Sequence, residues 1–223
     1  MSDSPKNARP TTEQEENDFQ AAVKNLVPSI ATARESWEFA GKAYSALSGR
    51  PDSEDHRVFV ELVLYLASLD YETKTLLHQF HLDLENRAVW EKYLGLTLYE
   101  GIPTVQKLSG AYRIKLRQQE GEDSPKLAGM QRAMVKFNSE VKVVRGDTTF
   151  WAMLTRLRNE VAAHHTGRRD SAMSLQASWA VASENSRTRD YHSNMSMIGQ
   201  YSLLLGRAVQ TLGEDISGLS AQH

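Results

Sequence analysis

The chain of 223 residues contains no cysteine. That excludes disulfides, thiolate catalysis and every cysteine-based metal site, and it removes any need for an oxidising compartment. Proline (6) and glycine (13) are few and fall at isolated points, and no Gly-rich phosphate loop, G-x-S-x-G or H-E-x-x-H pattern occurs. Long apolar runs are missing as well. The most apolar stretch, Val58 to Leu69, carries Glu61 and falls short of the about 20 residues that a membrane span needs. The N-terminal MSDSPKNARPTTEQEEN holds no apolar run that could serve as a signal peptide, so the expectation is a soluble, cytoplasmic protein. Neither sign of charge dominates. Lys and Arg (26) nearly balance Asp and Glu (28), for a formal net charge of −2. A broadly basic nucleic-acid coat is thereby excluded, whereas a local basic patch is not.

Sustained period-two alternation is also absent, and what remains is helical periodicity. The expected fold class is all-α: an antiparallel bundle of five to seven long amphipathic helices. The expected organisation is a disordered tail over 1–11, polar and containing Pro5 and Pro10, then one helical domain over 12–223. A first helix starts at Thr12, with Glu15 completing a capping box. Pro28 must kink or restart it. Ile30, Ala33, Trp37, Ala40, Tyr44 and Leu47 then form one buried stripe, ended by Gly49 and Pro51. The second helix opens near Asp52 or Ser53 and buries Val58, Leu62, Leu66, Leu69, Leu76 and Phe80. The third starts around Asn86 and carries Val89, Tyr93, Leu96 and Tyr99. Gly101-Ile102-Pro103 makes a kink or a short loop before Val105, Leu108, Tyr112 and Leu116.

After a polar loop, Ser124-Pro125 is a strong helix start, Ser as N-cap and Pro at the first helical position. Leu127, Met130, Met134, Phe137 and Val141 are its core face. Gly146 closes that helix, and Asp147 caps the next, from Thr148 to about Thr166. A short helix over Ser171 to Ala182, a loop over Ser183 to Asp190 and a last helix from about Tyr191 to Leu219 complete the reading.

Chemistry concentrates in the helix after Asp147. Phe150, Leu154, Leu157 and Val161 make its core seam, and Arg158 sits about 100° round from Leu157, at the edge of the buried face and partly desolvated. Asn159 follows, and His164 and His165 come six and seven residues after the arginine. On an ideal helix His165 stands almost above Arg158 and His164 about 120° away.

This Arg158-Asn159-x4-His164 pattern, with His165 one place further, resembles the HEPN superfamily of helical-bundle proteins. The resemblance implies a metal-independent endoribonuclease, with no cofactor, that cleaves RNA to 2′,3′-cyclic phosphate and 5′-hydroxyl ends. The implied catalytic set is Arg158, Asn159 and either His164 or His165. Those residue types suit the task. Imidazole moves protons near neutrality. A guanidinium fork holds phosphate oxygens as charge builds, and an amide donates to phosphate or holds its neighbours. Also implied are a homodimer whose two motifs share one cleft, a toxin–antitoxin or antiviral defence setting, and a separate antitoxin or regulatory protein. Lys142, Arg145, Arg156, Arg168 and Arg169 could rim the RNA backbone, and Trp151 could stack a base.

Plainer readings stand beside these. Arg158 can be a boundary residue in an ion pair. Either histidine can simply end its helix, where a cation suits the dipole. Trp151 can be core, and the basic residues solvated loop charges. Adjacent histidines on a helix point about 100° apart and make a poor metal site. The alternative function is a catalytically silent HEPN-like bundle that binds a protein or nucleotide as regulator or scaffold. A bundle without that kinship is the third reading.

Overall fold

The computed structural model describes residues 13–48, 50, 54–83, 85–164 and 197–220; side chains are described within these except at 13–20, 22–23, 54–55, 87–88, 160–164 and 220. Among the described residues the chain is an all-helical bundle without strands. Six helices lie within the described residues: α1 (Glu13–Leu47), α2 (Glu54–Leu82), α3 (Arg87–Glu120), α4 (Pro125–Gly146), α5 (Thr148–His164) and α6 (Met197–Ser220). The expected short helix at 171–182 and loop at 183–190 lie outside the described residues, as do Thr12 and the start expected at Tyr191.

The core sits where α2, α3, α4 and α6 meet. Leu62, Leu77 and Phe80 of α2, Leu94, Leu98 and Ile102 of α3, Met130 and Phe137 of α4, and Ile198 and Leu205 of α6 are all shut from solvent. The two remaining helices are peripheral: α1 leans on α2, and α5 packs chiefly on α3 and touches α4.

Local rules account for the corners. The Ser124 hydroxyl accepts the Leu127 backbone N–H at 3.2 Å, with Pro125 in the first helical position. The same hydroxyl donates to Glu120 Oε2 at 2.6 Å. A Ser124→Ala variant therefore loses about 1 kcal/mol, to be read as a lowered urea midpoint at unchanged slope. Between α4 and α5 the single residue Asp147 makes the corner, and its Oδ1 accepts the Phe150 N–H at 2.9 Å.

At Pro28 and at Gly101-Ile102-Pro103 the restart and the loop are excluded, which leaves the kink of each pair of alternatives. Helix α1 continues through Pro28, and α3 continues through Gly101-Ile102-Pro103. Both prolines are exposed, so neither ring takes up space in the packed core, and each costs its helix one backbone hydrogen bond. Gly101 serves packing and not a turn. A Cβ there would stand 3.1 Å from Leu69 Cδ1, so its absence lets α2 approach α3 closely.

Two expected stripes are corrected. In α1 only Ala33 and Ala40 of the stripe are buried, and Trp37 is 39% exposed, stacked on Tyr71 of α2 at 5.5 Å. A peripheral helix has one neighbour along most of its length and cannot bury a wide stripe. In α3, Val89 and Tyr93 face outward (46% and 47% exposed), and Leu94, Leu98, Ile102 and Val105 face the core. Both sets recur at helical spacing. Contact with α2 and α6 selects the aliphatic one, because it fills the interior without a phenol to satisfy.

Candidate functional site on helix α5

Helix α5 is held by Phe150, Leu154 and Leu157, all buried, and its N-terminus is pinned by Asp147. The Tyr201 hydroxyl of α6 donates to Asp147 Oδ2 at 3.1 Å, and its ring meets Phe150 edge-on at 4.7 Å. Asp147 thus caps α5 with one oxygen and ties it to α6 with the other. Burial, then the bond to Asp147 and its charge, together push the Tyr201 phenol up to about 12. A raised acid contributes stability that is present below its unfolded value, about 10, and is lost as pH climbs through 10 toward 12. Tyr201→Phe is accordingly less stable at neutral pH, and its stability declines less steeply between pH 10 and 12. Urea melts across that range measure it.

The expected partial desolvation of Arg158 is not found: the residue is exposed. Leu157 meets the core, but α5 rests on the rim of α3, and one step round the helix lies beyond the shelter of that neighbour. Arg158 Nε reaches Glu100 Oε1 of α3 at 3.3 Å, with side chains 51% and 59% exposed. This is an open ion pair, of the kind worth about 0–1 kcal/mol. Asn159 and Arg156 are exposed too.

Trp151 is half-buried and packs against the core. Its ring stacks on Tyr99 of α3 at 5.4 Å and carries the Arg145 guanidinium at 5.2 Å. Arg145 also donates to Gln106 Oε1 at 3.2 Å. The neighbours Tyr99 and Glu100 therefore string Arg145, Trp151 and Arg158 along one α3–α5 seam. Lys142 is exposed on α4. The described part of α5 runs to the backbone of His164, about 9 Å along the axis from Arg158. The His164 side chain, with His165, Arg168 and Arg169, lies outside the described residues.

Sequence reasoning missed Glu100 as the partner of Arg158 and Tyr201 as the partner of Asp147. The pairs are separated by 58 and 54 positions, and no local spacing signals them. Among the described residues no group of three or more His, Asp or Glu is arranged to hold a metal ion, and no helix is long and apolar enough to cross a membrane. Comparison of the chain with protein-family models, with curated proteins and with solved structures gives no match in any of the three.

Proposed function

We propose that the chain is an HEPN-like endoribonuclease that cleaves RNA without a metal, as a toxin or antiviral defence effector working as a homodimer. One observation carries the reading: Arg158 and Asn159 stand in solvent on the helix that also bears His164. A phosphodiester can reach the guanidinium there, and an open ion pair to Glu100 is a contact that a phosphate displaces readily.

In the proposed reaction His164 or His165 takes the proton of the ribose 2′-hydroxyl. The 2′-oxygen attacks the adjacent phosphorus, and the bond to the 5′-oxygen breaks with a proton delivered to that leaving oxygen. Arg158 binds the non-bridging oxygens while their charge grows, and Asn159 donates to the phosphate or positions the arginine. Arg156, Arg145 and Lys142 supply positive charge for the flanking backbone, with Arg168 and Arg169 as the expected extension.

The contact between Arg158 and Glu100 also favours a second reading, a silent bundle in which the arginine has a structural partner and the protein binds a regulator or nucleotide. The deciding experiment is cleavage of single-stranded RNA in EDTA with end-group analysis. Products ending in 2′,3′-cyclic phosphate and 5′-hydroxyl support the nuclease. Intact RNA across varied substrates, with the protein folded and dimeric, supports the silent bundle.

A further inference from the structure

A groove of about 750 Å³ opens between α1, α2 and α6 and shares no residue with the α3–α5 seam. It exists because α1 leans on α2 and faces α6 with small side chains, Ala33 and Ala40. Leu66, Val209 and Ile216, all buried, give it an apolar floor. Phe39, 75% exposed, adds apolar surface at the rim.

The charged lining is lopsided. Glu35, Asp70 and Glu214 are its acidic lining residues, and Lys74 is the one cation among its described lining residues. That cation is already engaged. Lys74 Nζ lies 2.7 Å from Asp70 Oδ2, with both side chains nearly enclosed (11% and 13% exposed), and donates to Gln210 Oε1 at 3.4 Å. Gln210 Nε2 in turn donates to Glu214 Oε1 at 3.0 Å. The second oxygen of Asp70, Oδ1, is buried without a hydrogen-bond partner. Burial raises the Asp70 carboxyl above its ordinary value, although Lys74 pulls it down. The network thus leaves an under-compensated negative field beside an apolar cavity.

We infer that this groove binds a small organic cation, an ammonium group carried on an apolar body. The body covers Leu66, Val209 and Ile216, and the ammonium stands among the carboxylates of Glu35, Asp70 and Glu214. Water displaced from the groove lowers the local dielectric and strengthens that attraction. An anion of the same shape meets three carboxylates and a lysine already held by Asp70. A neutral analogue gains the apolar contact alone.

Three fluorescent probes with one chromophore test this on the full chain: dansylcadaverine (cation), dansylamide (neutral) and dansylglycine (anion). Dansylcadaverine is expected to bind saturably with a blue-shifted emission, and the other two about tenfold more weakly or less. Glu214→Gln, at an exposed position, weakens the cation about fivefold, the size of one exposed charge contact. Asp70→Asn weakens it further and, by freeing Lys74, improves dansylglycine. Ala40→Leu fills the groove and removes the signal, and Arg158→Ala binds as the parent does. Equal binding of the three dyes, or an unchanged affinity for dansylcadaverine in Glu214→Gln and Asp70→Asn of normal helicity, overturns the proposal. Should Ala40→Leu fold poorly, those two variants still decide it.

Discussion

Arg158→Ala is expected to slow RNA cleavage by about 100–1,000-fold, the usual loss when one preorganised donor to a developing oxyanion is removed. Helicity and melting temperature stay unchanged in the same variant. The two halves of this expectation rest on different observations. The catalytic half follows from placing the guanidinium where the non-bridging oxygens gain charge. The structural half follows from exposure: the arginine and Glu100 are each more than half exposed, and such a pair contributes at most about 1 kcal/mol. Glu100→Gln frees the arginine of its competitor, so cleavage by that variant equals or exceeds the parent rate. His164→Ala and His165→Ala, assayed side by side, identify the acting imidazole as the variant whose rate falls comparably. Full-rate cleavage by Arg158→Ala would sink the assignment. Loss of rate together with loss of helicity would make the residue structural.

Phe137→Ala should be the most damaging single truncation for stability. Phe137 is 1% exposed on α4, in the cluster shared with α3 and α6. Removing a buried phenyl ring forfeits its transfer free energy and leaves a cavity, together about 3–5 kcal/mol. A domain holds only about 5–15 kcal/mol in all. At this chain length the loss corresponds to a fall of about 10 °C or more in Tm. Two positions earlier, Val135 is 70% exposed, and Val135→Ala stays within about 0.5 kcal/mol of the parent. Thermal unfolding followed by circular dichroism compares the pair directly. A similar Tm for both variants would contradict the placement of α4.

Legibility differed from element to element. The turn chemistry around Ser124-Pro125 and Asp147 was readable, because a cap works within three residues and needs no knowledge of the rest of the fold. The core face of α4 was readable for a related reason: Leu127, Met130, Met134, Phe137 and Val141 are the dominant apolar stripe of that helix, and all are buried. At Pro28 and Pro103 a kink stood against a restart or a loop, and both helices run on through the proline, because a proline removes one backbone bond while the flanking turns keep theirs. In α3, Val89 and Tyr93 competed with Leu94 and Leu98 at the same spacing. Periodicity gives the angle of a stripe and not which of two stripes a neighbour will cover.

The candidate site divides along the same line. Its residue types and their order along α5 are sequence properties, as is the seam of Phe150, Leu154 and Leu157 that seats the helix. The exposure of Arg158, its contact with Glu100 and the engagement of Trp151 by Tyr99 and Arg145 come from where α5 lies on α3.

By itself the sequence determined the helical class, the corners at Ser124 and Asp147, and the chemical groups that α5 carries, because each follows from interactions within a turn or two of helix. Tertiary structure alone decided which helices are central, which stripe of α3 is interior, and what Arg158 and Asp147 touch. Those outcomes depend on contacts between residues some 50 positions apart or more, and such contacts form only after the helices have packed.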